Sequence, residues 1–210
     1  RYIRTAINKK NPYADYMLGV NLYWNVFGED RGQEALRYLE RAAKDVGHAH
    51  YWVGQYWSRS KVEGAQEKMI AAYEKGKLAR DPYARLALAE LYVSGRGVER
   101  SYAAAYSTLM GTRMGAFPRA EYLKGFFKLH GHGTRRSESV ARRHFESAVA
   151  LGSISAKVEL AGIYLTNSSD KDDFIGLRLL REAETEGANI DRQLSRPEIV
   201  AKIQELEAQQ

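Results

Sequence analysis

Between Asp81 and Gly115 apolar positions recur at helical spacing in two successive stretches. In the first, Ala84, Leu88, Ala89 and Tyr92 fall on one face, and the loop Gly95-Arg96-Gly97-Val98 ends it. In the second, Ala104, Leu109 and Gly111 share a face, and Gly115 closes the segment. Small residues at Ala89, Ala104 and Gly111 let two helix axes approach closely, with Leu88, Tyr92 and Leu109 filling the seam. A hairpin this short buries only one of its faces, so it needs copies of itself to cover the other.

The copies are present. Ala14, Ala49, Ala84, Ala120 and Ala156 recur every 35 or 36 residues, and five positions after each stands a small residue: Gly19, Gly54, Ala89, Gly125 or Ala161. The second helix repeats through Ala35, Ala65, Ala104, Ala141 and Gly176, followed by Ala42, Ala72, Gly111, Ala148 and Ala183. Gly47, Gly76, Gly115, Gly152 and Gly187 close the units, at the left-handed position that follows many helices. A fixed period of this length predicts an all-α solenoid of stacked helix pairs.

The pattern A-x-x-x-L-G-x-x-Y, then G-x-G-V, then A-x6-A-x3-G resembles the Sel1-like repeat family, relatives of the tetratricopeptide repeats. The match is fullest at Ala84–Gly115 and good at Ala120–Gly152, where the loop reads Gly131-His132-Gly133-Thr134. The other repeats carry Phe27-Gly28-Glu29-Asp30, Arg59-Ser60-Lys61-Val62 and Asn167-Ser168-Ser169-Asp170 at the loop. The resemblance implies a right-handed α-solenoid, one domain over 1–210. Its five helix-turn-helix repeats lie at about 13–47, 48–76, 81–115, 118–152 and 154–187. An N-terminal half repeat precedes them, because Tyr2 to Ile7 resembles Tyr38 to Ala43, and a capping helix at 195–208 follows. For that cap, Ser195-Arg196-Pro197-Glu198 reads as a capping box, and Ile199, Ile203 and Leu206 follow at helical spacing. The chain does not begin with Met, and the natural protein is expected to be longer, with a trimmed start or a removed secretion signal or lipid anchor.

Composition narrows the chemistry. No cysteine is present, so the disulfides that staple the repeats of some Sel1-like proteins are excluded, as are thiolate metal sites. No apolar run approaches the length of a membrane span. His48 and His50, and His130 and His132, are paired at a spacing that no single helix face brings together, and only His144 remains as a further histidine. Three or four convergent ligands are missing, and no cofactor is expected. The acidic run Asp170 to Asp173 lacks the glycine and the terminal glutamate of a calcium loop. Gly95-x-Gly97 follows a helix and so is no dinucleotide fingerprint.

Two surfaces stand out. Tyr13, Tyr16, Tyr23, Trp24, Phe27, Tyr38, Tyr51, Trp52, Tyr56 and Trp57 crowd into the first two repeats and include every tryptophan of the chain. By register Tyr16, Tyr51, Leu86, Tyr122 and Val158 are equivalent. Met17, Trp52, Ala87, Leu123 and Glu159 run beside them, and Val20, Gln55, Glu90, Phe126 and Gly162 lie one turn on. In related solenoids the first helix of each pair lines a concave surface. Tyr16, Tyr23, Trp24, Tyr51, Trp52, Gln55, Glu90, Tyr122 and Phe126 are therefore the expected partner-binding residues, against the alternative that they are inter-repeat core. The fourth repeat is basic: Arg119 to His144 holds a local excess of five positive charges out of a formal +6 for the chain. There Arg135, Arg136, Arg142 and Arg143 form either a patch that steers an acidic partner or a solvated helix face. No nucleic-acid-binding motif accompanies them.

The expectation is a non-enzymatic, monomeric interaction module. The resemblance extends it to a periplasmic immunity protein that inhibits a secreted effector such as a phospholipase, delivered between bacteria by type VI secretion. It also allows a periplasmic adaptor or scaffold of a polysaccharide-export or envelope complex, with a cytoplasmic location left open. The competing class is a glycan-binding solenoid that uses stacked Tyr and Trp rings.

Overall fold

The computed structural model of the protein describes residues 11–25, 31–110, 117–166 and 170–208, with the backbone alone at 170 and 171. Every regular element among them is a helix, and they fall into two compact units, Arg1–Arg113 and Met114–Gln210. The first unit holds α1 (Pro12–Tyr23), α2 (Gly32–Ala42), α3 (Ala49–Arg59), α4 (Ala65–Leu78), α5 (Pro82–Ser94) and α6 (Tyr102–Met110). The second holds α7 (Pro118–His130), α8 (Glu138–Ala150), α9 (Ile154–Thr166), α10 (Asp170–Thr185), α11 (Asp191–Leu194) and α12 (Pro197–Ala208). Successive helices pair as hairpins, α1 with α2 through α9 with α10, and each hairpin inside a unit packs on the next. The half repeat expected before residue 11, and the loops at 27–30 and 167–169, lie outside the described residues.

The seam within each hairpin is built from a small residue facing a large one. Ala14, Ala49, Ala84, Ala120 and Ala156 are all buried, and so are the small residues five positions on. A Cβ added at Gly19 would stand 2.7 Å from Leu39 Cγ, and one at Gly125 would stand 2.7 Å from Phe145 Cε1. The same addition at Gly54 would run into the ring of Tyr73. The facing helices bury Ala35-Leu39-Ala42, Ala65-Met69-Ala72, Ala141-Phe145-Ala148 and Leu180-Ala183. In α6 the register differs by one from the sequence expectation: Ala105 and Leu109 are fully buried, whereas Ala104 is half-buried. The interval from Gly95 to Ala105 equals that from Gly131 to Ala141, so the loop glycines fix this register. Gly111 and Gly115 lie outside the described residues.

In four of the five hairpins the polar residue after the anchor alanine ties the two helices together, and His50, after Ala49, instead packs beside Gly76. Asp15 receives Arg41 through two nitrogens, and Arg85 donates to the Thr108 carbonyl at 3.2 Å. Glu121 takes Lys124 at 2.8 Å and His144 at 2.7 Å, and Lys157 reaches Glu186 at 2.6 Å. Burial works against ionisation of Glu121, but the hydrogen bonds from His144 and Lys124 outweigh it and hold the carboxyl below its usual range. Neighbouring hairpins are tied through tyrosine: Tyr92 donates to Glu74 at 3.0 Å, and Tyr164 to Glu146 at 3.1 Å.

Helix ends follow ordinary capping rules with four departures from expectation, the first at Gly47, which is not left-handed and is instead a close approach, where an added Cβ would stand 2.9 Å from Ala79 Cβ. Asn11 and Asp81 cap α1 and α5, each with proline next, and Gly95 and Gly131 end α5 and α7 in the left-handed region. Gly152 and Gly187 are also left-handed. Gly76 is not a terminus: α4 runs past it to Leu78, and the glycine is required because Ala84 of α5 presses on it. Repeat two lacks the G-x-G loop, and Gly64, with φ of 73°, supplies the left-handed turn directly before α4. The capping box at Ser195 does not form. Pro197 takes the first helical position of α12, which puts Arg196 at the cap, and the Ser195 hydroxyl instead donates to the Arg192 carbonyl at 2.9 Å. The cap itself is in place, since α12 packs on α9 and α10 with Ile199 and Leu206 buried. The short α11, unforeseen in the linker, buries Gln193, whose amide donates to the Val158 carbonyl at 3.1 Å.

Two outcomes follow. Gly125→Leu forces the seam apart and lowers stability by about 1–3 kcal/mol, read by chemical denaturation. Glu121→Gln leaves Lys124 buried without its counter-charge and costs about 3–5 kcal/mol near neutral pH. A carboxyl whose folded pKa is depressed stabilises above its unfolded value and loses that contribution as pH falls through the folded one. The deficit of Glu121→Gln against the parent therefore shrinks in acid, and a constant deficit would contradict the ion pair.

Candidate functional site: an aromatic face on the first unit

The helices α1, α3 and α5 lie side by side, α3 touching both others. Their common face gathers the aromatic side chains. Trp24 meets Trp52 edge-on with ring centres 5.7 Å apart, and Tyr23 meets both tryptophans at 5.3 Å. Trp52 contacts Tyr51 at 5.3 Å and donates its indole N–H to the Tyr16 hydroxyl at 3.2 Å. Tyr51 then reaches Tyr83 of α5 at 5.4 Å. The set is continuous across three repeats, and edge-to-face geometry of this kind adds to the stabilisation that burial gives.

The histidine at its centre has a structural role. His48 stacks on Tyr51 with an interplanar angle of 8°, tilts against Tyr16 and Tyr83, and holds Asp81 Oδ1 through Nδ1 at 2.7 Å. The other oxygen of Asp81 accepts the Ala84 N–H at 2.8 Å and caps α5. One buried carboxylate thus fixes both the start of the third repeat and the orientation of the central ring. His50 faces away, beside Gly76, and lines a different cavity. Among the described residues no three His, Asp or Glu side chains converge as a metal would need.

The face is amphipathic and uncharged over most of its area. Burial, partly offset by its hydrogen bond with Trp52, pushes the Tyr16 phenol up, and burial does the same for Tyr23 and Tyr51, so all three stay protonated at physiological pH. The Arg59 guanidinium lies over the rings of Tyr23 and Trp24 at 4.8 and 5.4 Å. Tyr16, Tyr23, Tyr51, Trp52, Gln55 and Glu90 are half-buried, while Trp24 is 54% exposed and Tyr83 44%. The Tyr23 hydroxyl lies 3.5 Å from the Gln55 carbonyl. Tyr83, Arg59 and His48 were not picked out by register, because they belong to this face only through the packing of α3 between its neighbours. Tyr13 and Met17, also exposed, extend the apolar surface along α1.

Tyr122 and Phe126 belong to the second unit, half-buried on α7, with ring centres 6.3 Å apart and Arg119 over the Tyr122 ring at 5.4 Å. The four arginines nearby divide between surroundings. Arg136 lines a cavity against α9, and Arg142 pairs with Glu146 at 3.4 Å and lies over the Tyr164 ring at 5.8 Å. Arg135 and Arg143 are exposed.

Comparison with known proteins agrees with this architecture. A protective antigen of uropathogenic Escherichia coli (c5321), described as displaying an SLR fold, superposes with a TM-score of 0.78 at 19% identity, over 89% of this chain and 40% of its own. A Sel1 repeat protein from Oxalobacter formigenes superposes with a TM-score of 0.69 at 21% identity, over 85% of this chain and 74% of its own. The fold is that of a Sel1-like repeat protein. No protein-family model matches the chain. An uncharacterized protein of Neisseria meningitidis serogroup B is 22% identical over 81% of this chain, and the chain spans less than half, 43%, of that relative's length. Among the described residues no helix is long and apolar enough to cross a membrane.

Removing the carboxylate under the face tests how it is held. Asp81→Ala deletes the cap of α5 and the partner of His48, and lowers stability by about 1–2 kcal/mol in chemical denaturation. It also shifts tryptophan emission, because His48 packs against Trp52. Unchanged emission would mean that the ring set does not depend on this carboxylate.

Proposed function

We propose that the chain is a non-enzymatic interaction module that holds a partner protein against the aromatic face of α1, α3 and α5. The observation that carries this is the continuous set from Trp24 to Tyr83, anchored from below by Asp81 and open to solvent at both ends. Rigid Tyr and Trp side chains with hydroxyl and indole donors supply large contact area at low entropic cost, as hot-spot residues do. Tyr122 and Phe126, on the second unit, are proposed as partner-binding residues in their own right. On this reading the chain acts as a monomer.

Within this class two finer roles rest on the family resemblance: a periplasmic immunity protein that covers a secreted effector, and an adaptor of an envelope complex. Both need a stoichiometric protein partner. A glycan site is the second reading, favoured by the exposed edge of Trp24 beside Trp52 and Tyr23. It needs no protein partner.

The test compares the parent chain with the Trp24→Ala/Tyr83→Ala double variant as immobilised baits for lysate of the source organism, with retained material identified by mass spectrometry. One stoichiometric protein is expected on the parent, with affinity for the variant reduced by roughly 30-fold, the loss expected for about 2 kcal/mol of hot-spot energy. Equal retention by both baits contradicts the proposal. Quenching of tryptophan emission by soluble glycans, with no protein retained, moves the assignment to the glycan reading.

A further inference from the structure

The turn between α4 and α5 carries an arginine where its counterparts carry glycine. The Asp81 N–H bonds back to the Gly76 carbonyl at 2.9 Å, as Ser153 does to Ala148 and Ala188 to Ala183, both also at 2.9 Å. That bond closes a helix around one left-handed residue. The residue is Gly152 or Gly187 in the second unit, and Arg80 here, with φ of 59°. An added Cβ would meet nothing within 4 Å at Gly152 or Gly187, so those glycines serve the backbone conformation and not a close approach. Arg80 adopts the same conformation without that freedom. A side chain kept where the backbone disfavours it points to a use for the side chain.

Arg80 lines a cavity of about 310 Å³ where α4, α5 and α6 meet. The lining is Lys77, Leu78, Arg80, Arg85, Ser107 and Thr108: three cations and no carboxylate. Lys77 is matched by Glu74 at 2.5 Å. The other two cations are not matched. Arg80 is exposed, and among the described residues no hydrogen bond or ion pair engages its guanidinium. Arg85 gives one N–H to the Thr108 carbonyl, while its Nε is buried and has no acceptor. Asp81, next along the chain, lies off the lining and is held by His48 and the Ala84 N–H. The segment 111–116 that follows α6 contains no Asp or Glu. Two guanidiniums are left without a carboxylate partner.

We infer that Arg80 and Arg85, with Lys77, bind a phosphoryl dianion in this cavity. Two unmatched guanidiniums balance the charge of about −2 that a phosphate monoester carries. A guanidinium also offers paired N–H groups at the spacing of two phosphate oxygens, which a lysine does not. Free phosphate and the monoester head group of a lipid present this same dianion. The site shares no residue with the aromatic face, and stands or falls apart from it.

The test titrates inorganic phosphate into the full chain by calorimetry at about pH 8, where the dianion dominates, with ionic strength held constant by chloride. Sedimentation with phosphatidylcholine vesicles, plain or containing phosphatidic acid, runs beside it. The parent is expected to bind one phosphoryl ligand saturably. Arg80→Gly keeps the turn, removes the guanidinium, and is expected to bind at least about ten-fold more weakly, with Arg80→Lys between the two. Arg135→Ala, which removes an exposed arginine of the second unit, binds as the parent does. Arg80→Gly also melts at a higher temperature than the parent, because glycine takes the left-handed turn freely. Sedimentation with phosphatidic acid that is lost in Arg80→Gly assigns the lipid source, and phosphate binding without it assigns the free one. Binding of neither phosphate nor phosphatidic acid, equal binding by Arg80→Gly, or an equal loss in Arg135→Ala each overturns the inference. So does a lower melting temperature for Arg80→Gly, since the side chain would then be holding the fold.

Discussion

The structure depends on how closely two helices of one hairpin can approach. In three repeats a glycine on the first helix meets a large side chain from the second, Gly19 with Leu39, Gly54 with Tyr73 and Gly125 with Phe145, and in the fifth the order is reversed, Gly176 of the second helix meeting Leu165 of the first. No Cβ fits at those glycines without moving a buried side chain. The contact also sets rotation. With the seam closed, the residues one or two positions after the anchor alanine have assigned places, the polar one bridging to the partner helix in four repeats and the aromatic one leaving the hairpin toward its neighbours. The partly exposed tyrosines of α1 and α3 are a consequence of that rotation.

Much of this was legible in the sequence because it is periodic and local. The anchor alanines, the small residues after them, the loop glycines and the cap helix are all where the period puts them. The departures have local causes. The α6 register moved from Ala104 to Ala105, because alanines at 103, 104 and 105 offer three equivalent candidates and only the distance from Gly95 chooses among them. Gly76 read as a helix end because glycine serves both for left-handed turns and for close approach, and a single chain does not tell the two uses apart. Ser195 matched a capping box in spacing, but Pro197 claimed the first turn.

The site was less legible than the fold. Register selected Tyr16, Tyr51 and Trp52, which do meet. It missed His48, Tyr83 and Arg59, because membership of the face is decided by which helices lie side by side. In sequence His48 and His50 form a metal-like pair. The structure sends the two rings to different surroundings, and the carboxylate of Asp81 explains why His48 sits where it does. Of the basic run of repeat four, Arg136 lines a cavity, Arg142 pairs with Glu146, and Arg135 and Arg143 are exposed.

The claim that matters most is that a partner protein is held on the aromatic face of α1, α3 and α5. Site-specific photo-crosslinking in the native cell tests it directly, with a benzophenone side chain placed at Tyr83 or, as control, at the exposed Leu78 of α4. The account predicts one discrete protein adduct from position 83 and none from position 78. Adducts of the same kind from both positions, or from position 78 alone, would contradict it.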